Sequence, residues 1–185
     1  MKALLIFPIL ALLGGCATQT ASKDPGCDAA LAYLVSQSHP VTGRDIVVSA
    51  EDESSIKFYN AKQTAAEFPK GGVPAALVQR LIESGAKSAL TACPAMAADL
   101  TRRNIPHQRD GTKRAPLNMD ADNFQGWEVE FVLASRAVVS DDGNQALLAA
   151  GSVIGPEAGS GTIIHLRRGP DGNWRQVDEI PTWIS

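Results

Sequence analysis

The alternation beginning at Trp127 constrains the fold more than any other feature. Trp127, Val129, Phe131 and Leu133 are apolar, with Glu128 and Glu130 between them. A period of two fits a strand with one buried face. Arg136-Ala137-Val138-Val139 extends the strand pattern after a bend, Asp141-Asp142-Gly143-Asn144 is a strong turn, and residues 145–150 return as a partner. Gly151, Gly155, Gly159 and Gly161 surround Pro156, Glu157 and Ser160 and predict a loop or a bulged edge. Residues 162–168 and 174–180 read as two further strands joined by Gly169-Pro170-Asp171-Gly172-Asn173. The expected product is an antiparallel meander of about four strands, with helices on one face, in an α+β domain.

The front of the chain is helical. Asp24-Pro25-Gly26 opens a helix to about Gln37, with Cys27, Leu31, Leu34 and Val35 on one face. Its end is marked by His39-Pro40, because the residue before proline is biased away from helix. Residues 45–49 (Asp-Ile-Val-Val-Ser) predict a short strand, and Glu51-Asp52-Glu53 a solvated loop. Pro74 suits the first turn of a helix whose stripe is Leu77, Val78, Leu81 and Ile82. A shorter helix follows Cys93-Pro94 with Met96, Ala97 and Leu100 inward. The segmentation is helix-rich 26–106, an irregular connector 107–123, and strand-rich 124–185, together one α+β domain over 26–185.

Composition narrows the function classes. The formal net charge is −3 and arginines and lysines are scattered, apart from Arg102-Arg103 and Arg167-Arg168. A phosphate-neutralising domain needs a basic stripe, so nucleic acid is not an expected partner. No cofactor motif is visible.

The first sixteen residues carry an address. Lys2 is followed by an apolar run over 3–13, and Gly14-Gly15 stands before Cys16. The run is shorter than the roughly 20 residues a spanning helix requires, and fits a signal peptide. Leu13-Gly14-Gly15-Cys16 resembles the lipobox of bacterial lipoprotein precursors. That resemblance implies cleavage of residues 1–15 and lipid on Cys16, so the membrane is a partner through the lipid. Residues 16–25 then form a flexible tether. Ala17 and Thr18, without an acidic residue, favour an outer-membrane location with the domain in the periplasm. An ordinary cleaved signal peptide and a buried N-terminal helix are the alternatives. With Cys16 assigned, Cys27 and Cys93 remain; an oxidising compartment favours a disulfide between them, with two separate thiols as the alternative.

The end of the chain, with Gly172-Asn173-Trp174 and Thr182-Trp183-Ile184-Ser185, resembles the closing hairpin of small secreted bacterial proteins of uncharacterised role. It implies a fold more than an activity. Trp174 and Trp183 either hold the C-terminus against the domain or, with Trp127, form an aromatic surface for a partner.

No catalytic constellation stands out. His39, His107 and His165 lack helical zinc spacing, and His165 on its strand reads as solvated, pointing opposite to Ile164 and Leu166. Asp120-Ala121-Asp122-Asn123 lacks the central glycine and distal glutamate of a calcium loop. Ser152, Ser160 and Ser185 have no nucleophile-elbow context. Catalytic residues are therefore unassigned, and no metal ligand is assigned. The reading is a lipid-anchored envelope protein that binds or supports, possessing a concave or apolar surface, with another envelope protein among its candidate partners. The alternatives are an envelope hydrolase, with His107 or His165 beside carboxylates in a pocket, and a periplasmic inhibitor or immunity lipoprotein.

Overall fold

The computed structural model describes residues 24–38, 45–53, 59–68, 72–108, 129–155 and 158–184. Cys16, Trp127, Glu128, His39 and the Asp120–Asn123 stretch lie outside the described residues.

The first helix, α1 (Pro25–Gln37), starts where Asp24 accepts hydrogen bonds from the Gly26 and Cys27 amides, capping otherwise orphaned donors. Its buried residues are Gly26, Cys27, Ala29, Ala30, Tyr33 and Leu34. The stripe is thus rotated from the one read in the sequence: Leu31 and Val35 are only partly buried, and Tyr33 points inward. Small alanines let the helix lie close to the sheet, so the apolar stripe need not coincide with the largest side chains. After β1 (Asp45–Ser49) come α2 (Ala61–Glu67), α3 (Ala75–Glu83), α4 (Ala89–Ala92) and α5 (Met96–Arg102). In α3, Leu77, Val78 and Leu81 are buried as the spacing predicts, and Pro74 is the capping residue just before the helix.

The sheet corrects the expectation of about four antiparallel strands. Among the described residues it has seven: β1, β2 (His107–Gln108), β3 (Val129–Ala134), β4 (Val138–Val139), β5 (Gln145–Gly155), β6 (Ala158–Arg168) and β7 (Trp174–Ile184). The order is β2-β1-β3-β5-β6-β7, with β4 paired to β5. The β3-β5-β6-β7 part is the antiparallel meander, but β1 is parallel to both β2 and β3. Parallel neighbours need a long crossover; here helices α2–α5 lie between β1 and its partners in sequence. The segment read as the start of an irregular connector supplies β2. Strands from the helix-rich front therefore complete the sheet of the back half.

Helices cover both faces, not one. One core joins α1, α4 and α5 to Val132, Ala134, Leu148, Ile164, Leu166 and Trp174. The other joins Phe68 and α3 to Leu147, Ala149, Ile163 and Ile180. Adjacent strand residues alternate between the two cores, as a pleated sheet requires. This second layer explains two further corrections. His165, read as solvated, is 1% exposed and meets the Phe68 ring edge-on at 5.7 Å. Glu53, read as part of a solvated loop, is buried and accepts a hydrogen bond from Trp183 Nε1 at 3.3 Å. Its neighbour Asp52 accepts the Ser88 amide at 2.7 Å, at the start of α4.

Glycines make room for that indole. Gly151, Gly161 and Trp183 occupy paired positions across β5, β6 and β7. A Cβ on Gly161 would lie 2.0 Å from Trp183 Nε1, and one on Gly159 would lie 3.0 Å from Trp183 Cη2. Gly161→Val must therefore expel the indole and break its contact with Glu53. Overpacking plus lost aromatic burial predicts a destabilisation of about 3 kcal/mol. Urea unfolding, with tryptophan fluorescence shifted to longer wavelength in the folded variant, checks this; unchanged stability and emission would mean that the indole does not lie on the sheet.

Candidate functional site

The strongest candidate site is a polar pocket on the sheet face that α1 covers. Along β5 that face runs Ala146, Leu148, Ala150, then Ser152; along β6 it runs Leu166, Ile164, Thr162, then Ser160. Both strands pass from apolar to hydroxylated residues at paired positions, Ala150 opposite Thr162 and Ser152 opposite Ser160. The apolar half lies under α1. The helix ends at Gln37, and the hydroxylated half remains open as a hollow of about 210 Å³.

Five elements furnish its walls. Tyr33 and Gln37 come from α1, Glu130 and Val132 from β3, Ser152 from β5, Ser160 and Thr162 from β6, and Gln176 and Glu179 from β7. Ser152 Oγ donates to Glu130 Oε1 at 2.6 Å, which orients that carboxylate. Gln176 Nε2 donates to Glu179 Oε2 at 2.8 Å. Tyr33 is 8% exposed. Burial first, then the carboxylates of Glu179 and Glu130, push its phenol well above the usual range, so it stays a protonated donor. The pocket thus offers a protonated phenol, several hydroxyls and amides, and two carboxylates on one face of the sheet.

A second hollow, of about 360 Å³, surrounds Cys27 and Cys93 with Leu31, Pro94, Ala95 and Met96 on its apolar walls and Asp24, Asp28 and Asp99 among its lining. Cys27 and Cys93 are joined in a disulfide with their Cα atoms 5.7 Å apart, tying α1 to the turn between α4 and α5. Burial opposes the charge on Asp24, but Arg136 and the helix-start amides outweigh it and hold this carboxyl below the usual range. Arg136 contacts Asp24 at 2.9 and 3.0 Å, and Arg102 pairs with Asp99. The Asp28 carboxyl is raised, first by burial and then by Asp24 and Asp99, against the pull of Arg168. Two of these three carboxylates are thus satisfied within the protein, so this hollow is the weaker candidate.

No protein-family model, no curated protein and no solved structure matches the chain.

The residues singled out in the sequence fall elsewhere. Trp174, expected on a binding surface, is buried at 9% exposure, with the Arg168 guanidinium stacked 4.6 Å from its ring centre. Trp183 is half-buried against the glycines, and neither tryptophan lines the polar pocket. The two hollows described above contain carboxylates and no histidine, so neither is the pocket expected for a hydrolase. His165 faces the opposite core, and His107 Nδ1 lies 3.1 Å from the Ile105 carbonyl. Among the described residues, no group of three or more His, Cys, Asp or Glu side chains is placed to hold a metal ion. Of the pocket residues, Glu130 was visible as a polar position on its strand. Tyr33 carries no such signal, because the larger aliphatic residues of α1 mark a different face from the one its alanines bury. The apolar-to-hydroxyl change in β5 and β6 was the available signal.

Proposed function

We propose that this protein is a lipid-anchored binding protein of the bacterial envelope that holds a small polar ligand in the hollow beside α1. The observation that carries the binding role is the polar hollow beside α1, lined by Tyr33, Ser160 and Thr162 and by a Glu130 carboxylate that Ser152 orients at 2.6 Å. Binding sites commonly combine a preformed concavity with a few placed polar groups. The address rests on Leu13-Gly14-Gly15-Cys16. The Cys27–Cys93 bond supports it, because structural disulfides persist in oxidising compartments. Among the described residues no helix is long and apolar enough to cross a membrane. Attachment through more than one acyl chain on Cys16 supplies the anchor, at about 0.8 kcal/mol per buried methylene.

Intact mass spectrometry of the protein extracted from its own envelope tests the anchor. The expected species lacks residues 1–15 and carries lipid mass on Cys16, and Cys16→Ser moves the chain out of the membrane fraction. A chain that retains residues 1–15 without modification would overturn the anchored reading.

A further inference from the structure

We propose that α2 and α3 form an acid-released cover: protonation of His165 lifts them, with Phe68, from the sheet while α1, α4 and α5 stay in place on its other face. His165 lies on β6 between its cross-strand partners Leu147 and Asp178, on the face that α3 and Phe68 cover. Its Nε2 donates to the Gln145 amide oxygen at 3.1 Å, and its Nδ1 is buried without a partner. A second proton would sit on Nδ1, and a buried donor and charge without an acceptor cost far more than the neutral ring. Lifting Phe68 opens the ring to water, which supplies that acceptor. The charged groups around the ring do not remove the cost. Arg167, two residues along the same face of β6, opposes a second positive charge, and Asp178, half-buried across on β7, favours it less than burial opposes it. From the helices, Lys62, Glu67 and Glu83 are exposed to solvent, and Arg80 is paired with Asp141 at 2.9 Å.

The two helical layers are held unequally, which is why one opens and the other does not. On the α1 side the Cys27–Cys93 bond ties α1 to the turn between α4 and α5, and Arg136 grips Asp24 at the helix start through two contacts. α2 and α3 contain no cysteine. Tyr59, just before α2, donates its hydroxyl to the Thr182 carbonyl, and the Arg80–Asp141 pair lies at the surface, where such a pair contributes little. Among the described residues theirs is also the smaller of the two cores. The less stable layer of a protein opens as a unit while the rest stays folded. Here β6 remains paired with β5 and β7 through the opening, and the face bared is Leu147, Ala149, Ile163 and Ile180.

Amide hydrogen exchange at pH 7.5 and pH 4.5, corrected for the intrinsic exchange rate and read by mass spectrometry, tests the cover. A ring that titrates at about 4 when buried and at 6.5 when exposed favours opening on the order of 50-fold more at the lower pH. The α3 amides are expected to lose protection by about that factor, the α1 amides far less, and His165→Gln to abolish the difference. Proton NMR of the His165 ring in the parent needs no variant: its titration is expected to coincide with the loss of α3 protection. No loss in α3, an equal loss in α1 and α3, a loss that His165→Gln retains, or a ring that titrates while α3 stays protected would each overturn the acid-released cover.

Discussion

Replacing Cys27 and Cys93 together by alanine lowers the unfolding free energy by about 4 kcal/mol. The bond closes a loop of 66 residues. In the chain-entropy account a cross-link of that span removes many conformations from the unfolded chain, so its loss stabilises the unfolded state more than it harms the folded one. The folded state also changes little for a local reason. Both half-cystines are buried among Ala30, Leu34, Leu90 and Met96 of the same core, which continues to hold α1 against α4 and α5. Urea unfolding of the oxidised chain and of the double variant measures the difference. A change below about 1 kcal/mol would mean that the unfolded chain is already compact across this loop, or that native strain offsets the constraint.

Acidification produces the second large effect, and it runs through His165. The ring is buried between β6 and Phe68; Nε2 donates to Gln145 Oε1 at 3.1 Å, and Nδ1 has no partner. Protonation would place a second donor and a charge where neither is compensated. Burial, reinforced by Arg167 and opposed by Asp178, lowers the folded pKa from 6.5 to about 4. The unfolded chain therefore binds more protons than the folded chain between these values. The contribution of the neutral ring is complete above pH 6.5 and is lost as pH falls towards 4. The loss reaches about 3 kcal/mol at pH 4, from 1.36 kcal/mol per unit of pKa difference. Carboxylates titrate in the same range, so the comparison that isolates the ring is with His165→Gln. The parent is the more stable protein at pH 7.5, and its advantage shrinks or reverses at pH 4.5. An advantage independent of pH would show that the ring titrates alike in both states.

How much of this was legible in the sequence depends on the range of the interactions. The start of α1 follows from Asp24 and the two amides it caps, and α3 from a stripe repeated every three or four residues; both are local. The hairpin joining β6 and β7 follows from Gly169 to Asn173, whose backbones pair across the turn at 2.8 Å. The parallel insertion of β1 between β2 and β3 depends on partners more than fifty residues away, and a five-residue strand carries no local mark of its neighbour. The same holds for His165. Its orientation away from Ile164 and Leu166 follows from the period of the strand, but its burial depends on Phe68, nearly a hundred residues earlier. Trp183 was conspicuous as a large apolar residue near the chain end. Its seat on Gly159 and Gly161 was written in the sequence as a cluster of glycines, but without the strand register those glycines read equally as a loop. The pocket was the least legible feature. Its tyrosine lies on a helix face set by alanines, and its two carboxylates come from β3 and β7, which do not pair with each other.

The proposed binding role is tested most directly by native mass spectrometry of the protein isolated from its own envelope, with the parent compared with Ser160→Trp, which fills the hollow beside α1. The account predicts a small polar molecule retained by the parent and lost from the variant. A parent that carries no small molecule, or retention that the variant leaves unchanged, would contradict it.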